Sequence, residues 1–149
     1  MHGICWDYHN PANRPTKETF EMLGARLVRH TGRVDDPVFD AAQMWLEAAG
    51  IASVIVLDSD AFPDANYEHW TAWYADRYKP NLVVIGNEPD AYLYPDLAAK
   101  SVASWRMDPQ SYWSFWDSCS RGWLSRQPQA SLCVAGQMGL DGLWLKELL

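Results

Sequence analysis

Cysteine is scarce in this chain of 149 residues: the three present, Cys5, Cys119 and Cys133, are an odd number without metal-ligand spacing. Neither a disulfide framework nor a zinc site is implied, and the thiols are expected to be reduced and buried. Basic residues are few as well. Twelve Lys and Arg against 19 Asp and Glu leave a formal charge of −7, and the cations are scattered, not clustered. Such a chain repels a phosphate backbone, which argues against a nucleic-acid partner. No apolar run approaches the roughly 20 residues of a membrane span, and the opening Met-His-Gly-Ile-Cys-Trp-Asp has no basic region ahead of an apolar one. As written, the chain is expected to be cytoplasmic, without a membrane partner. With no low-complexity segment and no linker, residues 1–149 form one domain or part of one.

The composition is that of a globular protein, with 48% hydrophobic and 21% charged residues. The departure is in the aromatics: nine tryptophans in so short a chain imply deep helix packing plus some exposed rings. Flat exposed rings stack on sugars or bases, and the acidity disfavours bases.

Short apolar runs alternate with amphipathic ones, the pattern of βα units around a parallel sheet. Five strands are expected: Gly3 to Tyr8, Arg26 to His30, Ile51 to Leu57, Leu82 to Ile85 and Ser131 to Ala135. The first helix starts at Thr16, whose hydroxyl can cap it, has Phe20 and Leu23 inside, and closes at Gly24. Asp36-Pro37 opens the second, which runs through Ala49 with Phe39, Met44, Trp45 and Ala48 inside and Gly50 as its stop. The third is Tyr67 to Tyr78, with Trp70, Trp73 and Tyr74 at helical spacing. An insertion, Ala91 to Pro109, precedes a helix at Tyr112 to Ser125 with Tyr112, Trp116, Cys119 and Trp123 in one stripe, and Asp141 to Leu149 starts a fifth.

The most informative stretch is Leu82 to Asp90, Leu-Val-Val-Ile-Gly-Asn-Glu-Pro-Asp. Four branched apolar residues describe a strand covered on both faces. Gly86 and Pro89 end it. Asn87 and Glu88 are left at the carboxyl end, where parallel sheets present catalytic groups. Polar residues occupy the other strand ends too: Asp7, Arg29, Asp58 and Gln137.

On these residues the chain resembles the N-terminal part of a clan A glycoside hydrolase, a (β/α)8 superfamily. Gly-Asn-Glu-Pro at Gly86 to Pro89 is similar to the clan's strand-four motif. Leu-Gly-Ala-Arg-Leu-Val-Arg, Leu23 to Arg29, resembles its second-strand segment, and Trp6-Asp7-Tyr8 sits where the first strand supplies substrate contacts. The resemblance implies an α/β fold, an incomplete TIM barrel of about five of eight units. It also implies that Glu88 is the general acid/base, Asn87 the contact to the sugar 2-hydroxyl and Arg29 the support for a nucleophile. Retaining hydrolysis of an O-glycosidic bond needs a second carboxylate about 5 to 5.5 Å from the first. In the clan it comes from the seventh strand, and this chain stops after the fifth. A closed barrel takes about 250 residues, so the chain is expected to be truncated, with Glu88 mostly ionised at pH 7 for want of a carboxylate partner.

Plainer readings stand beside these. Asn-Glu-Pro is a short motif, Asn, Pro and Gly crowd turns for conformational reasons, and Arg29 could be a strand-end surface charge. Asp58 and Asp60 read as capping or loop residues in preference to substrate contacts. His30, His9 and Asp58 lack diagnostic metal spacing; no metal or other cofactor is implied. Helical tryptophans are expected in the core, whereas Trp6 and Trp105 are candidates for a sugar platform, and Gln137 for the cleft. The partner expected is a carbohydrate. The alternative is a non-catalytic half-barrel that binds carbohydrate or a protein and pairs, with its own copy or a complementing chain, through open sheet edges.

Overall fold

A computed structural model describes residues 2–5, 16–87 and 108–134. Within them the chain is α/β: β1 (His2–Cys5), α1 (Lys17–Leu23), β2 (Ala25–Thr31), α2 (Pro37–Ala48), β3 (Ala52–Leu57), a 3-10 turn (Ser59–Ala61), α3 (Tyr67–Arg77), β4 (Leu82–Ile85), α4 (Pro109–Leu124) and β5 (Leu132–Val134). The strands form one parallel sheet in the order β1-β2-β3-β4-β5, so each strand pairs with the next in sequence. All four expected strand positions from β2 to β5 are met within two residues. The expected helix at 141–149 and the insertion from Ala91 lie outside the described residues, apart from its last two, Asp108 and Pro109.

The helix starts follow from local chemistry. Asp36 accepts from the Val38 and Phe39 amides at 2.8 and 3.2 Å, and Pro37 occupies the first turn of α2. Asp108 and Pro109 repeat the device, with the Ser111 amide 2.9 Å from the Asp108 carboxylate. Hence α4 begins at Pro109, three residues before the start expected from its apolar stripe. Thr16 and Thr19 cap α1 reciprocally, and Gly24 ends it at φ +60°, where a side chain would be strained.

Register separates the two faces of the sheet. Val28 pairs with Ser53 and His30 with Ile55; Ile55 pairs with Val83, and Leu57 with Ile85. These residues share the face carrying the helices, and most of them join Phe20, Phe39, Leu46, Tyr74, Tyr112, Phe115 and Trp123 in one core cluster. Along that face the helices lie in chain order. Phe20 meets Trp45 between α1 and α2 at 6.2 Å, Phe39 meets Tyr74 between α2 and α3 at 6.0 Å, and Tyr67 meets Phe115 between α3 and α4 at 4.7 Å. Gly122 lets α4 approach closely, because a Cβ there would collide with the Glu68 carbonyl and the Thr71 hydroxyl. The opposite face holds Arg29, Val54 and Leu82 in one row, with Cys5 opposite Arg29.

Three expectations about burial are corrected. In α2 the inward positions are Phe39, Ala42, Gln43 and Leu46, while Met44 is 66% exposed and Ala48 exposed. The polar Gln43 occupies an interior position, which rotates the true stripe away from the one the apolar residues suggest. In α1, Phe20 points in, whereas Leu23, the last residue of the helix before the Gly24 cap, is exposed. Of the thiols, Cys119 is buried, but Cys5 and Cys133 are exposed. Both belong to the outermost strands, and the registers Cys5 with Arg29 and Cys133 with Val84 put them on the face away from the core cluster.

Candidate functional site at the carboxyl ends of the strands

The strand ends bring together two of the residues singled out by the sequence. The Arg29 Nη2 donates to Asn87 Oδ1 at 2.8 Å, joining β2 to the turn after β4 across the intervening β3. Arg29 is exposed and Asn87 half-buried. Because a guanidinium only donates, this contact fixes the orientation of the Asn87 amide: the oxygen faces Arg29 and the NH2 remains a donor directed elsewhere. An amide donor held at a strand end suits recognition of a hydroxyl group.

The backbone that presents Asn87 is anchored on both sides. Gly86 takes φ +86°, and its amide donates to the Leu57 carbonyl at 2.6 Å. The buried Tyr112 hydroxyl donates to the Ile85 carbonyl at 2.7 Å, tying the end of β4 to α4. Sequence reasoning placed Tyr112 in the helix stripe but missed this role; the signal was a hydroxyl at the first turn of a helix that follows the motif strand.

Asp58 is buried and caps the 3-10 turn, its carboxylate accepting from the Ser59 amide at 2.8 Å. Asp60 lies 3.7 Å from Arg33 across a partly exposed ion pair. Both carboxylates thus have the capping and loop roles expected of them. Glu88, Trp6, Asp7, Trp105 and Gln137 lie outside the described residues, as does His9.

His30 follows Arg29 on β2 and faces the other way. Its ring stacks on Phe39 at 5.1 Å, and its Nε2 lies 2.9 Å from Gln43 Oε1. Gln43 in turn donates to Glu47 at 2.8 Å and to Ser53 at 3.1 Å. Burial lowers the His30 pKa to about 4, outweighing the bond to Gln43. The imidazole is therefore neutral at pH 7, and its Nε2 donates to Gln43. Among the described residues no group of three or more His, Cys, Asp or Glu could hold a metal ion.

Of the helical tryptophans, Trp123 is fully buried, whereas Trp113 is 45% exposed and stacks on Trp116 at 5.3 Å. No helix among the described residues is long and apolar enough to cross a membrane. No protein-family model, curated protein or solved structure matches this chain.

Proposed function

We propose that this chain is the first five βα units of a glycosidase barrel acting by the retaining, two-carboxylate mechanism. The observation that carries the reading is the 2.8 Å bond from Arg29 to Asn87, which links the two motif segments at the carboxyl ends of their strands. Five parallel strands in sequential order, with the helices in chain order on one face, agree with part of a (β/α)8 wall. Gly-Asn-Glu-Pro continues from Gly86, so Glu88 follows the anchored Asn87 directly.

In this reading Glu88, as a carboxylic acid, gives its proton to the leaving glycosidic oxygen while a second carboxylate attacks the anomeric carbon. Glu88, now ionised, then takes a proton from the water that releases the sugar. Asn87 donates to the 2-hydroxyl, a bond that strengthens as positive charge grows at the anomeric carbon. Arg29 orients Asn87 and supports the nucleophile, which in the clan stands on the seventh strand.

The test pairs hydrolysis with binding. A panel of aryl glycosides is assayed for phenol release and a panel of free saccharides for perturbation of the Asn87 side-chain amide signal by NMR, in wild type, Glu88→Gln and Asn87→Ala. Glu88→Gln should remove any phenol release and leave binding within about twofold, whereas Asn87→Ala should weaken binding about tenfold, the value of one well-placed hydrogen bond. Release that survives Glu88→Gln would sink the assignment of the acid. Binding without any release in wild type favours a non-catalytic carbohydrate-binding half-barrel.

A further inference from the structure

Helices α3 and α4 run side by side but start at different heights. The Phe115 ring meets that of Tyr67, the first residue of α3, at 4.7 Å. Pro109 to Ser114, about 9 Å of helix, therefore stand beyond the start of α3. Further along, Gly122 lets the two backbones close on each other at Glu68 and Thr71. The overhang leaves a notch of about 470 Å³, lined along α4 by Gln110, Ser111, Ser114 and Ser118 and walled by the Tyr67 and Phe115 rings. That volume lies within the roughly 300–1,000 Å³ of small-molecule sites. Because Tyr112, beside Ser111, is tied to the Ile85 carbonyl, the notch lies at the same end of the sheet as Asn87.

None of the side chains lining the notch is charged. The Ser111 hydroxyl donates to Asp108 at 2.7 Å and the Ser114 hydroxyl to the Gln110 carbonyl at 3.0 Å, so both oxygens can still accept. Among the described residues the Gln110 side-chain amide and the Ser118 and Tyr67 hydroxyls have no hydrogen-bond partner. Burial raises the Tyr67 phenol above its ordinary pKa of 10, so it remains a donor at pH 7. An anion would enter without a counter-charge, and an apolar ligand would cover these groups without pairing them. A ring with hydroxyls on its edge and C–H groups on its faces meets both parts of the lining, the hydroxyls on the serine row and the C–H groups on the aromatic wall. We propose that the notch is a second saccharide site, separate from Asn87, for neutral pyranose units. The inference rests on the lining of the notch and stands apart from the glycosidase reading.

NMR titration of the full chain tests it, with cellotriose, xylotriose and mannotriose as neutral probes and trigalacturonate as the charged control. In wild type at least one neutral probe should shift the Ser111, Ser114 and Ser118 amides saturably below about 10 mM, and trigalacturonate should bind at least about tenfold more weakly. Ser114→Trp, at an exposed position, should fill the notch and abolish the shifts at Ser111 and Ser118. Gln110→Ala should weaken binding about tenfold, and in both variants the β3 amides, a check on folding, should keep their positions. Asn87→Ala should leave the notch response unchanged. No response at the notch to any neutral probe overturns the proposal, as does one that survives Ser114→Trp or is matched by trigalacturonate. A response at the notch without one at Asn87 upholds this site and counts against the reading of the strand ends; a response at Asn87 alone does the reverse.

Discussion

Arg29 and His30 are neighbours on β2, and they face opposite sides of the sheet into two different polar networks. His30 reaches Gln43, which also donates to Ser53 and to the exposed Glu47, and the ring is packed on Phe39. Arg29 ends in a bond to Asn87 at an exposed strand end. The buried network must satisfy itself, since an unmet polar group there costs roughly 1–3 kcal/mol. The exposed one is under no such demand, because water satisfies what the protein does not. It can therefore keep an amide donor for a ligand. On the proposed reading, alternation along one strand divides stability from recognition between adjacent residues.

The largest effect that breaks the comparison comes from pH. The folded-state pKa of His30 lies below its ordinary value of 6.5, at about 4, so the unfolded chain binds the proton more readily. Stability from this group is complete above pH 6.5, falls as pH drops from 6.5 towards 4, and is fully lost below 4, a total of about 3 kcal/mol. Urea midpoints at pH 7, 5.5 and 4.5 should decline in wild type and more gently in His30→Gln; equal slopes would remove His30 as the cause.

Gln43→Leu comes next. It removes the acceptor for His30 and the donor to Ser53 and Glu47, and should cost about 2 kcal/mol, read as a lower urea midpoint at unchanged slope. The smallest effect on stability belongs to Arg29→Ala. Its side chain is exposed and its loss should shift stability by no more than about 0.5 kcal/mol, while the Asn87 side-chain amide resonance moves. A destabilisation as large as that of Gln43→Leu would show that both networks hold the fold and would end the division of labour.

Much of the fold was legible locally. Asp36-Pro37 announced α2 because a carboxylate before proline caps free amides, and Asp108-Pro109 carries the same signal for α4, although it reads there as the end of an insertion. The branched run Leu82 to Ile85 marked β4 to the residue. Gln43 was not legible, because a pattern of apolar residues discounts an amide at an interior position until its partners are known. The exposure of Cys5 and Cys133 was equally hidden, as it depends on their strands ending the sheet among the described residues. For the site, the chain announced Arg29 and Asn87 as strand-end residues, but not the bond between them.

The sequence by itself determined the kinds of element, their order and the residues at the strand ends, because capping, turn formation and alternation act over a few neighbouring residues. Tertiary structure decided which of those residues meet. Arg29 and Asn87 are 58 residues apart, and their contact depends on the order and register of β2, β3 and β4, which no local pattern encodes. The interior place of Gln43 was decided the same way, by hydrogen-bond partners on β2 and β3 that exist only once the sheet has formed.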